Sequence, residues 1–396
     1  MSENTLAAFG GSPVRKRPFP DWPRLPKEAI EAAYEVLKKG ELKYSYGHEV
    51  TRLEDDLKSV CGSKHVVCVI NGTLSLEIAM RCVGVTPGST VIIPAYDHPA
   101  NLNSVMNVNA APVFADVEEE RPNISPGVVT DLLGEHDPKA IIVTHMVGLA
   151  SIDAFEDISE RHRVPVIYDC ARVIGSEWRG MPVGSFGTAC SFSFEESKHL
   201  NAGEGGAVST NSPDLAERIY ACRNRGRDKK GKLAGTGILG SNYRMTEFQA
   251  ACIIPQLPSL GDLIKHRTKA VEYLRGLLSD VEGIRLPDFG QQSTSIAYYN
   301  ATMRYDRAAF GGLDRDTLID YLNAEGIPFK PEWALPYDYA GKAGVSLGEA
   351  PHIPVARKVH SETLILNGNV LDADEEDFAD IVRAIKKVQA AARKLK

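Results

Sequence analysis

Short apolar runs separated by helical periodicity organise the first two thirds of the chain. Residues 66–70, 90–93, 113–115, 140–143, 164–168 and 190–194 are short, mostly apolar runs, as strands buried on both faces are. Between them lie helical patterns. Pro26 opens one that Gly40 closes, Val50, Leu53, Leu57 and Val60 mark a second, and residues 74–83 form a third. Strands alternating with helices predict an α/β fold with a mostly parallel sheet and crossover helices. The texture changes near residue 255, where Pro255 and Pro258 interrupt the pattern. Beyond them a long helix is expected over 260–279, a strand over 298–304, and helices over 316–324 and 374–394. The expected organisation is a large α/β domain over 26–255 and a small α+β domain over 256–396. An arm over 1–25, broken by Pro18, Pro20 and Pro23, completes it.

Composition narrows the partners. The 396 residues are 43% hydrophobic and 24% charged, which suits a globular protein with a sizeable core. A net charge of −7, with Lys and Arg spread along the chain, offers no basic face for nucleic acid. Seven cysteines with no C-x-x-C pair argue against a disulfide framework and a zinc knuckle, and suggest buried thiols in a reducing compartment. The polar N-terminus lacks an apolar signal region and no run reaches membrane-spanning length, so a cytoplasmic protein without a membrane partner is expected.

Ligands of open parallel sheets bind outside the carboxyl ends of the strands, and four polar signals fall there or on loops able to reach. Asn71-Gly72-Thr73 follows a strand and opens a helix, which suits a phosphate or a simple capped turn. Asp169 ends an apolar strand, where a carboxylate needs a partner: a protonated ring nitrogen, a helix start or a cation. Ser193 precedes Lys198 by five residues, so its hydroxyl can reach a phosphate while Lys198 reaches an aldehyde carbon; otherwise it is a buried serine bonded to backbone. Lys198 itself is either a solvated lysine or a partly desolvated amine, and only a neutral amine attacks a carbonyl to form a Schiff base. Asn242 and Arg244 are donors on a loop before a helix, or a solvated loop. One ligand accounts for these four and for Lys198: pyridoxal 5′-phosphate, an aldehyde with a phosphate and a protonated ring nitrogen. No G-x-G-x-x-G follows the first strand and no P-loop occurs, which disfavours a nicotinamide or nucleotide site.

With these residues in place, the chain resembles the DegT/StrS family of sugar and cyclitol aminotransferases. The likeness runs from Gly10-Gly11-Ser12-Pro13-Val14-Arg15 and Trp22-Pro23 through Asn71-Gly72-Thr73, Pro94-Ala95-Tyr96 and Asp169-Cys170-Ala171. It continues across 193–206 and 240–250. The resemblance implies the pyridoxal-phosphate-dependent, aspartate-aminotransferase-like fold (fold-type I) with a seven-stranded sheet. It implies Lys198 as the cofactor lysine, Asp169 as the ring-nitrogen partner, and Gly72, Thr73 and Ser193 as the phosphate cup. Asn242 would be a phosphate ligand reaching into the second subunit of a homodimer. His145 is expected in the core or just behind the site. Two positions depart from the family pattern. His98 stands at the ring-stacking position, where an aromatic is usual. Arg172 stands where His or Gln usually approaches the 3-oxygen; it holds that oxygen, binds an anionic substrate group, or turns aside to an acidic neighbour. The implied reaction moves an amino group from glutamate or glutamine to a keto-sugar or keto-cyclitol in secondary-metabolite biosynthesis. The alternatives are a dehydratase or lyase on the same scaffold, and a non-catalytic cofactor-binding regulator.

Overall fold

The structure, a computed structural model, describes residues 5–44 and 47–394. The first four residues of the arm, the last two of the chain, and Ser45 and Tyr46 lie outside the described residues. Pro26 caps helix α1 (Lys27–Lys39), and Gly40 closes it in the left-handed region at φ 75°. Without a Cβ, glycine takes that conformation at no steric penalty. Helices α2 (Glu49–Cys61), α3 (Gly72–Val83) and α4 (Pro99–Asn107) follow among the strands.

Seven strands form the main sheet: β1 (His65–Val69), β2 (Thr90–Pro94), β3 (Ala111–Ala115), β4 (Pro138–Thr144), β5 (Val166–Asp169), β6 (Ala189–Ser193) and β7 (Gly206–Thr210). Their spatial order is β1-β7-β6-β5-β4-β2-β3. Neighbours from β3 through to β6 pair in parallel, whereas β7 runs antiparallel to both β1 and β6. β7 is the strand that the apolar runs do not announce. It starts in the glycine-rich 203–206 stretch, and Ser209 and Thr210 break its apolar pattern although both are buried.

The runs are mostly apolar because both sheet faces are covered. Val66, Cys68, Ile92, Ile141, Val143, Val166, Tyr168, Cys190 and Phe192 belong to one core. Val67, Val69, Val91, Ile93, Ala140, Ile142, Ile167 and Ala189 belong to the other. Each large side chain so buried stabilises the fold by roughly 1.5–3 kcal/mol. With β1 and β2–β6 all pointing the same way, their carboxyl ends share one edge.

A four-stranded antiparallel sheet follows, with strands Ile284–Arg285, Asn300–Tyr305, Thr363–Asn367 and Phe329–Lys330 in that spatial order. Helices Leu260–Leu278, Arg315–Ala324 and Glu375–Ala392 pack on it, and Leu6 of the arm joins their core. Glu325 ties the arm down by accepting the Ala7 and Val14 N–H groups at 2.8 and 3.1 Å. All seven cysteines are buried and free. Among the described residues no helix is long and apolar enough to cross a membrane, and no group of His, Cys, Asp or Glu is arranged to hold a metal ion.

Candidate active site

A cavity of about 660 Å³ opens at the carboxyl edge of the main sheet. Its first wall is the turn between β1 and α3. The Asn71 side chain accepts the Leu74 N–H at 2.9 Å and its carbonyl accepts the Ser75 N–H at 3.1 Å. The cap is therefore Asn71 rather than a threonine. Among the described residues the Gly72 and Thr73 N–H groups find no protein acceptor, as expected of the first positions of a helix, and both residues line the cavity. A β-carbon on Gly72 would sit 2.7 Å from Cβ of Ser193, the last residue of β6. Glycine is thus what lets the helix start approach the strand end. The Ser193 hydroxyl accepts the Glu195 N–H at 3.4 Å.

Asp169, at the end of β5, is buried, and its carboxylate accepts the Ala171 N–H at 2.9 Å. It makes no ion pair among the described residues. Burial pushes its pKa up; the Ala171 N–H and, more weakly, Lys198, Asn101 and Arg172 oppose the rise. Asp97 lies beside it, fully buried. It takes hydrogen bonds from Thr144 at 2.7 Å, Asn101 at 2.5 Å and the His98 N–H at 2.7 Å. Burial, then the neighbouring Asp169 charge, raise Asp97 to about 7. Lys198 lies in the turn after β6, its N–H bonded to the Glu195 carbonyl at 2.9 Å. Its amine makes no hydrogen bond or ion pair among the described residues and stands 4.2 Å from the centroid of the Tyr299 ring.

Residues in and next to the strands of the second sheet close the cavity: Tyr299 and Asn300, Lys330, Glu332 and Trp333, and Asn367 to Asn369. Arg172 faces this side. Its guanidinium donates to Glu332 at 3.0 and 3.3 Å, and both side chains are buried. Of the alternatives for Arg172, the acidic neighbour holds it, yet both partners still line the cavity. The Arg172 guanidinium is also 5.3 Å from the Tyr299 ring. Burial alone would raise the Tyr299 hydroxyl, but Lys198, Arg172 and the Ser197 hydroxyl together outweigh it and the phenol is lowered. His98 caps α4: its Nδ1 accepts the Ala100 N–H at 3.1 Å, which places the ring proton on Nε2. Burial first, then Arg172 and Lys198, lower it to about 4. Its ring meets Trp333 edge-on at 4.9 Å. The arm supplies Trp22, whose indole N–H donates to the Glu196 carbonyl at 3.0 Å.

Three further residues singled out in the sequence lie outside this cavity. His145 is fully buried behind the cavity, stacked on Tyr168 at 5.2 Å, with Nδ1 accepting the Ala150 N–H. Asn242 is exposed and outside this chain's cavity, and its backbone bridges to Asn224. Arg244 donates to the Asn224 side chain at 2.8 Å. Glu332, Trp333 and Tyr299 line the cavity and Asp97 lies against Asp169, and the motifs single out none of them as site residues. Only their meeting in space marks Glu332 and Trp333, whereas Asp97 stands between Pro94-Ala95-Tyr96 and His98.

A mostly parallel seven-stranded sheet with this cavity at its carboxyl edge is the fold-type I aminotransferase architecture. Residues 23–386 match the DegT/DnrJ/EryC1/StrS aminotransferase family, and the chain belongs to it. The chain is 33% identical to the L-glutamine:2-deoxy-scyllo-inosose aminotransferase of Streptomyces paromomycinus, over 97% of each chain. Its fold is similar to that of 3-amino-5-hydroxybenzoic acid synthase, with TM-score 0.87 and 28% identity over 95% of this chain and all of the other. It also resembles DesV of S. venezuelae in complex with a ketimine intermediate, with TM-score 0.80 and 27% identity over 93% of this chain and 99% of the other.

Proposed function

We propose that this enzyme uses pyridoxal 5′-phosphate to move an amino group from L-glutamine or L-glutamate to a keto-cyclitol or keto-sugar. The observation that carries the reading is the single cavity lined by Gly72, Thr73, Asp169, Ser193 and Lys198. The donor set fits the cofactor. Two unpaired N–H groups and a hydroxyl suit a phosphate, a buried carboxylate without an ion pair suits a ring N–H, and an amine free of hydrogen bonds suits a carbonyl. Gly72 keeps the cup open where a side chain would fill it. Similarity to a glutamine-dependent cyclitol aminotransferase supports the substrate class.

In this reading the Gly72 and Thr73 N–H groups and the Ser193 hydroxyl anchor the phosphate, and Asp169 keeps the ring nitrogen protonated. Bound there, the cofactor supplies an electron sink for the pair left when a C–H bond beside nitrogen breaks. Lys198 holds the aldehyde in the resting enzyme, then takes the proton from the donor's α-carbon and returns one on the way to product. His98, neutral with Nδ1 committed to the Ala100 N–H, would offer the ring an uncharged face. Arg172, held by Glu332, would offer its remaining N–H donors to the ring's 3-oxygen. Asn242 reaches the phosphate of a second copy in a homodimer, and the enzyme works in the cytoplasm.

Adding glutamine or glutamate to the cofactor-loaded enzyme should replace the aldehyde-form absorbance by that of the amine form, and a keto-cyclitol should restore it. If no amino acid changes the spectrum, the reading fails. The shared site has its own test: mixing and refolding Lys198→Ala with Asn242→Ala chains should recover activity that neither has alone. No recovery would place Asn242 outside the neighbour's site.

A further inference from the structure

Arg172 and Glu332 lie 160 positions apart, yet they form a bidentate pair with side chains only 9% and 4% exposed. Stability does not explain such a pair, because apolar residues of similar volume usually serve a buried position as well or better. Burial would raise the Glu332 carboxyl, but the Arg172 charge and the Trp333 N–H at 3.1 Å outweigh it and keep it ionised. Only two of the five guanidinium N–H donors are used on Glu332, and Glu332 Oε2 retains an acceptor site beside its bond to Nη1. Next in the chain, Trp333 is 54% exposed and presents its indole to the cavity that both partners line.

This combination selects a chemistry. Because Glu332 neutralises Arg172, an incoming carboxylate or phosphate meets no free positive charge there. A hydroxyl both donates and accepts, so vicinal hydroxyls match a paired carboxylate and guanidinium. An indole covers the apolar C–H face of a ring. Resting on the aminotransferase reading above, we propose that Arg172, Glu332 and Trp333 form the subsite that selects a polyhydroxylated ring ketone as amino acceptor. Glu332 accepts from one ring hydroxyl, Arg172 donates to its neighbour, and Trp333 packs on the ring.

The direct test is equilibrium binding of scyllo-inositol, a ring polyol with no reacting carbonyl, to the cofactor-loaded enzyme by calorimetry. Wild type should bind saturably. Glu332→Gln should weaken binding about tenfold to a hundredfold, the range expected when a charged hydrogen-bond partner is lost. The double change Arg172→Met with Glu332→Leu, which leaves no buried charge unpaired, should do the same. Trp333→Ala, at an exposed position that folding tolerates, should weaken binding several-fold. In two-substrate kinetics with glutamine and 2-deoxy-scyllo-inosose, the ratio of acceptor KM to donor KM should rise in each variant. No saturable binding to wild type, unchanged binding in the folded variants, or a rise confined to the donor KM would each overturn the subsite. Failure of the aminotransferase reading is separate, since it leaves polyol binding intact while no amino acid alters the cofactor spectrum.

Discussion

The two sides of the cavity are built on different principles. The floor belongs to the main sheet: Gly72 and Thr73 after β1, Asp169 at the end of β5, Ser193 and Lys198 at and after β6. Each is placed by the strand that carries it, and each brings one donor or one charge. The wall belongs to the second sheet, and its groups act in pairs: Glu332 with Arg172, Trp333 with His98, Tyr299 between Lys198 and Arg172. The floor is suited to a cofactor that never changes. The wall is suited to a substrate, because exchanging a pair changes what is recognised without disturbing the sheet.

The largest expected effect follows from breaking the floor at its reacting group. Lys198→Ala should lower amino transfer by about 10⁴-fold, the upper range for losing a positioned acid–base group, and more if the carbonyl can no longer be held. Because the amine makes no hydrogen bond, stability should move by less than about 0.5 kcal/mol. Borohydride should then no longer fix the cofactor to the chain; fixation that survives would remove Lys198 from its role. Wall substitutions should instead leave that fixation in place.

A smaller effect is expected where floor meets helix. Gly72→Ala drives a methyl toward Ser193 Cβ, so the turn must shift. Overpacking of this kind costs roughly 1–3 kcal/mol, and the affinity of the apoenzyme for pyridoxal phosphate should fall about tenfold in a fluorescence titration. Unaltered affinity would mean the phosphate is held elsewhere.

The smallest effect concerns the support behind the floor. Burial lowers His145 to about 3, while in the unfolded chain it titrates near 6.5. Below that value the unfolded state takes a proton the folded state refuses, so this contribution to stability is full above about pH 6.5 and is lost as the pH falls. By pH 5 the loss is about 2 kcal/mol. His145→Asn keeps an acceptor for the Ala150 N–H but does not titrate. Its urea midpoint should therefore fall less between pH 7 and pH 5 than that of wild type. An equal fall would assign the acid sensitivity to other groups, such as His199, also lowered to about 3 by burial.

The floor was legible in sequence for the same reason that it is rigid. A residue at the end of an apolar run has its position set locally, so Asp169, Ser193 and the Asn71-Gly72-Thr73 turn stand out from their immediate neighbours. β7 was not legible, because Gly206, Ser209 and Thr210 look like a turn and their burial comes from β1 and β6 on either side. Glu332 and Trp333 were not legible either. Their stretch, Lys330-Pro331-Glu332-Trp333, has the composition of a surface loop, and only its meeting with Arg172 and His98 gives it meaning. Arg172 stood between cases. Its departure from the family pattern was visible, but its partner was not.

The central claim is that one cavity passes an amino group from an amino acid to a ring ketone, and isotope transfer tests it most directly. Enzyme loaded with pyridoxal phosphate is given glutamine labelled with ¹⁵N at the α-amino group, freed of excess donor, and then offered a keto-cyclitol. The predicted result is one labelled amino-cyclitol per cofactor in wild type and none in Lys198→Ala. Unlabelled product, or product released without its carbonyl replaced by an amine, would contradict the account.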